Sequence, residues 1–445
     1  MSARTSTTQI RTEAMPDDTS TGPIAAKISS ARFACYIVLL SVFVVTASDA
    51  TAADKPVGHL AGTAVMPEMK DPAAEMVAGI DRFLLNRLEA LREQRYQQAV
   101  VGVGGALGSA DAYRQRLAWI LGVRDERVPF DAPELIATAD DSAVLAGNDG
   151  FEVLAVRWPV VADVWAEGLL IRPTAAKGPI ADVIVIPDAD QTPEQLAGLV
   201  DGFPEDLQAA RKLAEQGCRV LVPALVSRTM EKRSPAEGTR AVTISNREFV
   251  YRSSFVLGRH LIGYEVQKVL AGVDWMSRDE TVSNDHIGVY GVGEGGMLAL
   301  YSCALDERIK AAVVSGYVDR REKIWQQPID RNVFGLLDHF GDAELLAAIA
   351  PRPVIVKAGP APSVTLSGDQ GGAPAVLEPP AKEDVKSEVE RANAIAKATG
   401  KKPSATLESA GANVTAAFLK SLGATFSTDG VLAALHRTGT PLPDA

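Results

Sequence analysis

The sequence predicts an α/β fold: a mostly parallel sheet with helices on both faces, opened by an antiparallel strand pair and preceded by an N-terminal helical extension. Three observations carry this. Apolar strand-like runs alternate with helix-like segments from Val183 to Lys357, and parallel neighbours require such crossover connections. Two earlier runs, Glu152 to Val160 and Val164 to Arg172, are joined by a short turn and read as an antiparallel pair. One strand passes directly into a glycine-rich turn and a helix, IGVYGVGEGGMLALYSCAL, from Ile287 to Leu305.

The elements follow in order. From Pro72 to about Arg95, Met76, Ile80, Phe83, Leu84, Leu88 and Leu91 recur at three and four, the spacing of an amphipathic helix. A second helix is expected over Ala110 to Leu121, with Gly122 as its stop. These form the helical extension, residues 60–145. The α/β domain is expected over 150–423. After the antiparallel pair it reads as strand Val183 to Ile186, helix Pro204 to Gln216, strand Arg219 to Val222 and helix Gly258 to Met276. Strand Ile287 to Tyr290, helix Gly295 to Leu305, and strands Ala311 to Val314 and Val354 to Lys357 continue it. Residues 359–380 are rich in Gly, Pro and Ala and read as a long surface loop. Helix Lys382 to Lys397, strand Ala405 to Glu408 and helix Asn413 to Leu422 close the domain. Residues 424–445 read as a proline-flanked tail resembling a linker, as in a piece of a longer protein. No internal repeat of fixed period is present.

At 445 residues and 47% hydrophobic, the chain has enough apolar surface for a large core. A net charge of -11 with no long basic run excludes a nucleic-acid partner, which needs clustered Lys and Arg. The run Phe33 to Ala47 follows Lys27 and Arg32 and precedes small residues through Ala53, so residues 1–53 read as a leader with a signal peptide, and the protein as exported to the periplasm or beyond. The run is shorter than the roughly 20 residues that span a bilayer. An uncleaved anchor at 33–47 is the alternative, and the only membrane contact expected. Glu13, Asp17 and Asp18 suit an export signal poorly and point to a start at Met15. Besides Cys35 in the run, Cys218 and Cys303 are too few for a disulfide framework or thiolate metal centre, and both read as small core residues. No HExxH, histidine cluster or Asp-rich loop is present, so neither metal nor cofactor is expected. The oligomeric state stays open.

The strand–turn–helix unit has the form that presents a serine as GxSxG in a nucleophile elbow. Here the positions read Gly291, Val292, Gly293, Glu294 and Gly295. Gly293 occupies the nucleophile position and has no side chain to form an acyl-enzyme. Together with PDADQTPEQLAGL (Pro187 to Leu199) and LGRHLIGYEVQKVLAGVDW (Leu257 to Trp275), the motif order resembles the acetyl xylan esterase and dienelactone hydrolase branch of the α/β-hydrolases, over about residues 110–422. The resemblance implies an α/β-hydrolase fold and hydrolysis of an acylated carbohydrate or similar small ester by a Ser, acid, His triad. All three positions depart from it. The acid is expected in the loop after Val354 to Lys357, which reads Ala358-Gly359-Pro360-Ala361-Pro362, and the histidine near Ala410 to Asn413, which reads AGAN.

Of the five histidines, His59, His260, His286, His339 and His436, only His436 lies in the C-terminal region, and it reads as a surface residue. Asp319, just after the strand Ala311 to Val314, is a candidate acid that reads as a solvated loop residue without serine and base. Glycine at 293 relieves the positive-φ strain of such a turn, about 1–3 kcal/mol for other residues. Amides near Glu294 and Gly295 at the helix start, and in the Ala189-Asp190 loop, are expected to line a residual oxyanion-type cleft. Ala189, Asp190 and Glu294 are its candidate binding residues, with Glu294 at the cleft mouth, holding an acyl or sugar ligand without turnover.

The preferred reading is therefore an exported, inactive hydrolase-fold protein, a ligand binder or the inactive module of a larger esterase. One alternative is an active esterase using Ser253 or Ser254. Another is a dinucleotide-binding enzyme, since Gly291, Gly293 and Gly296 fit GxGxxG with Asp319 about 23 residues on. That motif normally opens a dinucleotide domain, and here it falls late. Arg252, Arg259, His260 and Glu265 surround one helix start and read as a structural polar cluster. Trp119, Trp158, Trp165, Trp275 and Trp325 read as core.

Overall fold

The computed structural model describes residues 61–64, 71–101, 110–138, 142–174, 179–234, 241–279, 286–408, 413–424 and 435–437. The leader, the run 33–47, His59, most of the AGAN segment and most of the tail lie outside them. The chain divides into residues 1–69 and 70–445, and every element below lies in the second unit.

Helices α1 (Pro72–Val101) and α2 (Ala110–Leu121) come first. Strands β1 (Glu134–Leu135), β2 (Val144–Gly147), β3 (Phe151–Val161), β4 (Val164–Pro173) and β5 (Asp182–Ile186) follow, then α3 (Pro193–Leu196), α4 (Ala209–Glu215) and β6 (Arg219–Pro223). A hairpin, β7 (Met230–Arg233) and β8 (Val242–Ser245), leads into α5 (Asn246–Phe255) and α6 (Leu261–Met276). Next stand β9 (Ile287–Val292), α7 (Glu294–Leu305), β10 (Ala311–Ser315), α8 (Leu336–His339), α9 (Asp342–Ile349) and β11 (Val354–Lys357). The hairpin β12 (Val364–Leu366) and β13 (Ala375–Leu377), then α10 (Lys382–Ala398), β14 (Ala405–Glu408), α11 (Val414–Ser421) and β15 (His436–Arg437) complete the described chain.

The main sheet runs β14, β11, β10, β9, β5, β6, β4, β3, β2, β15, with β1 also on β3. Pairing is parallel from β14 to β6 and antiparallel from β4 outward. This is the mixed sheet the sequence predicts. Alternate residues of its strands enter two cores, as the two-residue period of a strand requires. Ala312 and Val314 of β10 pack with α2, α6, α7 and α9 on one face. Ala311 and Val313 pack with α4 and α11 on the other. The strand β9 is buried in the middle, so its C-terminal end opens at the centre of the sheet edge.

Several expectations are corrected. The helix expected from Gly258 starts at Leu261, because His260 is extended and its Nδ1 accepts the Ile262 amide at 3.1 Å as an N-cap. Pro204 to Gln216 splits into a 3₁₀ turn and α4, separated by the non-helical Gln208. Residues 359–380 form the β12–β13 hairpin rather than a free loop. Ala375 and Leu377 are buried, the Glu248 carboxylate of α5 accepts the Ala373 amide, and the Thr243 amide donates to Gln370 O. Of the tryptophans, Trp158 and Trp275 are core, whereas Trp119, Trp165 and Trp325 are exposed. Trp119 and Trp165 instead lie under the guanidinium groups of Arg124 and Arg157, a polar use of the ring face. Cys218 and Cys303 are free and buried; burial pushes the Cys218 thiol up to about 12. No described helix is long and apolar enough to cross a membrane.

Candidate functional site

The turn between β9 and α7 is drawn very tight. Gly293 has φ 56 and ψ -117, a conformation that strains any residue with a side chain. A Cβ on Gly291 would lie 1.9 Å from Gly295 O, and one on Gly295 would lie 2.1 Å from Ile186 O. Strand, turn and helix thus approach more closely than side chains permit, which is the architecture of a nucleophile elbow.

The space above the turn is filled by Asp188, the second residue beyond β5. Its Oδ1 accepts the Glu294 amide at 2.8 Å, and its Oδ2 accepts the Asp190 amide at 3.1 Å. The two amides that the sequence reading assigned to an oxyanion-type cleft are therefore both bonded to a carboxylate of the chain itself. A Cβ on Gly293 would lie 2.2 Å from Asp188 Oδ1 and 3.0 Å from Pro362 Cδ. Pro362 belongs to the loop after β11, where an acid is expected by resemblance.

Arginines hold this arrangement from behind. Arg228 Nη1 donates to Asp188 Oδ2 at 2.6 Å and to Asp190 Oδ2 at 2.7 Å, and Nη2 donates to Glu294 Oε1 at 3.0 Å. Arg331 Nε stands 3.1 Å from the same Glu294 oxygen, and Arg247 Nη2 stands 3.9 Å from the other. Arg247 is wholly buried; it donates to both Glu265 oxygens at 3.0 and 3.1 Å and to Asp330 at 2.7 Å. Glu294 is therefore fully buried and does not face a cleft mouth, a correction to the sequence reading. Burial pushes its carboxyl up, but the guanidinium groups of Arg331, Arg247 and Arg228 outweigh this and hold it at about 2.

The other candidate residues are placed as follows. Ala189 is buried, and the half-exposed Asp190 pairs with Arg228. The Asp319 amide donates to Asp342 Oδ2 at 3.0 Å, and its own Oδ1 accepts the Arg320 amide at 2.8 Å. Burial raises Asp319 to about 6, against the pull of Arg321. It lines a cavity with Tyr317, Arg331, Pro362 and Leu377 of about 10 Å³, room for the order of one water.

Arg252, Arg259, His260 and Glu265 do not form one cluster. Each turns to a different neighbour: Arg252 to Glu248, Arg259 to Asp125, Glu265 to Arg247, and His260 Nε2 to Asn332 O at 3.2 Å. The hydroxyls of Ser253 and Ser254 donate to Val250 O of their own helix at 3.1 and 2.7 Å. His436 stands in β15, six strands from β9, or roughly 29 Å at about 4.8 Å per strand. Asn413 caps α11 by accepting the Ala416 amide at 3.0 Å. Asp188 and Pro362 also occupy the approach a pyrophosphate would need to Gly293, against the dinucleotide reading.

Asp188, Arg228, Arg247, Asp330, Arg331 and Pro362 were not singled out by the sequence reading. One signal was available: Asp188 and Arg228 each follow the end of one of two neighbouring parallel strands, β5 and β6, at the sheet edge where such folds place their sites.

The sheet order and the elbow define an α/β-hydrolase fold. Residues 166–347, from within β4 into α9, match the model of the dienelactone hydrolase family, and that stretch holds the elbow, Asp188 and all three arginines. Among curated proteins, YtaP of Bacillus subtilis (strain 168), named as a hydrolase, is 33% identical over 110 residues, 23% of this chain and 37% of that protein. The chain thus spans little more than a third of that relative. Solved structures similar to it include BF1801 of Bacteroides fragilis NCTC 9343, assigned as an acetyl xylan esterase (17% identity, TM-score 0.48, 67% of this chain and 74% of that one). Another is the CE15 glucuronoyl esterase of Teredinibacter turnerae T7901 (16% identity, TM-score 0.41, 73% and 87%). A third is acetyl xylan esterase 1 of Thermoanaerobacterium sp. JW/SL YS485 (13% identity, TM-score 0.39, 71% and 93%).

Proposed function

We propose that this chain is an exported hydrolase-fold protein that does not hydrolyse esters at its elbow. One observation carries the reading: the Asp188 carboxylate takes the Glu294 and Asp190 amides and abuts Gly293, so an internal anion sits where a tetrahedral oxyanion would be stabilised. Acyl transfer at this turn needs a nucleophile, a base and an open oxyanion site. Gly293 offers no attacking atom. The loop at 358–362 offers no carboxylate, and the neighbouring cavity admits a water rather than an acyl group. The acylated carbohydrate or small ester suggested by the resemblance is the ligand class for this fold, and it reaches the two amides only if Asp188 leaves them.

The test is hydrolysis of p-nitrophenyl acetate and acetylated xylan by the purified protein, with activity followed across the eluted protein peak. Rates equal to buffer are expected. Turnover well above background that co-elutes with the protein and survives Ser253→Ala and Ser254→Ala would end this reading.

A further inference from the structure

The segment after β10 sets two arginines against one tyrosine ring. The guanidinium carbons of Arg321 and Arg331 stand 3.8 and 5.3 Å from the centroid of the Tyr317 ring. The two residues are 4% and 5% exposed, and with Tyr317, Asp319, Gln327 and Glu378 they line the one-water cavity beside the turn. Arg321 donates through Nε to Asp342 and through Nη2 to Tyr317 O, which leaves Nη1 without an acceptor among the described residues. Arg331 donates through Nη1 to Gln327 Oε1 at 2.9 Å and meets Glu294 through Nε, which leaves Nη2 without one. Gln327 Nε2 and Asp319 Oδ2 have no hydrogen-bond partner among the described residues either. Three side chains with an unanswered donor thus border a space that holds a single oxygen, and buried donors rarely go unanswered.

Charge distinguishes the oxygen of an anion from that of a water. Glu294 is the one carboxylate within 4 Å of the Arg331 guanidinium among the described residues, and Arg331 shares it with Arg228 and Arg247. A planar carboxylate matches the guanidinium fork and makes charge-assisted hydrogen bonds, stronger than those of a neutral oxygen. Asp319 is the obstacle. Around it stand Arg321 of its own segment, Asp342 of α9, Asp384 of α10, Glu378 after β13 and Arg331, while Arg320 turns to Glu322. Three carboxylates thus face two guanidinium groups, and a further anion enters beside Asp319 only when that carboxyl carries a proton. Its O–H then becomes one more donor. Burial, with Asp342 and Asp384 adding to it, raises Asp319 to about 6 and brings that proton within reach of mild acid.

We propose that this cavity is a proton-coupled site for a small carboxylate. One carboxylate oxygen enters and accepts from Arg321, Arg331 and Gln327, one proton from solvent settles on Asp319, and the Asp319 O–H donates to the same guest. The Glu294 and Asp190 amides take no part, so the site stands whether or not the elbow hydrolyses esters.

Formate, ionised above about pH 5, is the probe. Its binding to the purified protein is read from the line width of ¹³C-formate at constant ionic strength. The affinity is expected to fall about tenfold or more from pH 5.5 to pH 7.5, as the loss of one proton above pH 6 requires. Asp319→Asn has no charge to gain or lose and should bind formate equally at both pH values. Gln327→Glu keeps the acceptor for Arg331 Nη1 but replaces the amide donor by an anionic oxygen, so it should weaken binding at least tenfold with little change in melting temperature. An affinity independent of pH in the unmodified protein, or a pH dependence that survives Asp319→Asn, would overturn the proposal. So would chloride that displaces formate at equal concentration, or formate binding indifferent to Gln327→Glu.

Discussion

Asp188 and Gly293 each occupy the space the other's alternatives would need. The Asp188 Oδ1 lies 2.2 Å from the point where residue 293 would carry a Cβ, and it accepts the very next amide, that of Glu294, at 2.8 Å. A side chain at 293 and a carboxylate at 188 exclude one another.

Gly293→Ser is therefore expected to stay inactive and to destabilise the protein. A non-glycine residue at this φ costs about 1–3 kcal/mol, and the contact with Asp188 adds to it. A fall of at least about 2 kcal/mol in unfolding free energy, read from the denaturant midpoint, is the expected result. Pairing the change with Asp188→Gly should recover part of that loss, as a double-mutant cycle would show.

Asp188→Ala leaves the Glu294 and Asp190 amides without their acceptor and takes from Arg228 one of its three carboxylates. A buried donor that loses its charged acceptor costs about 1.5–3 kcal/mol. Formate or acetate added to this variant should restore part of its melting temperature, and chloride at equal ionic strength should restore less. Asp188→Asn, which keeps an acceptor and loses the charge, should lie between the two.

His260 gives the protein an acid-side weakness. Burial lowers its imidazole from 6.5 to about 4, against the hydrogen bond to Asn332 O and the charge of Asp330. The unfolded chain takes up a proton as pH falls through 6.5, whereas the folded one resists until about 4. The contribution is complete above 6.5 and is lost between 6.5 and 4, amounting to about 3 kcal/mol. His260→Asn, which can still cap α6, should flatten that part of the stability profile in urea titrations at stepped pH.

Asp319 acts with the opposite sign. Its folded value of about 6 lies above the ordinary 3.8, chiefly through burial, so its ionised form is disfavoured in the fold. Its contribution is complete below 3.8 and is lost as pH rises to about 6. At neutral pH, Asp319→Asn should stabilise the protein by about 1 kcal/mol after allowance for partial solvent screening. Below pH 4 the gain should vanish.

The strands, the helices and the elbow were legible because their signals are local. Period two against period 3.6 separates β9 from α7, and the packing of Gly291 and Gly295 follows from glycines at fixed offsets. The occupant of the elbow was not legible, because it comes from elsewhere. Arg228, Arg247 and Arg331 reach Glu294 from the β6–β7 connection, α5 and a 3₁₀ turn before α8, up to 103 residues apart in sequence (331 - 228). Read alone, a glutamate at a helix start belongs in solvent, where the helix dipole favours it. Three guanidinium groups reverse that. Composition also hid the β12–β13 hairpin: Gly and Pro dominate residues 359–380, and only Val364-Thr365-Leu366 and Ala375-Val376-Leu377 keep a strand pattern inside them.

On the proposed reading, the arginines beneath the turn bear on how a chain of this kind could acquire a nucleophile at 293. A single codon change at 293 meets an occupied space, and a change at 188 first leaves two buried amides without their acceptor. Each one-step route thus crosses an intermediate weaker than either endpoint, by an amount comparable to much of the 5–15 kcal/mol that keeps a typical domain folded. On that reading the cluster works as a ratchet, holding a serine at 293 more than one substitution away.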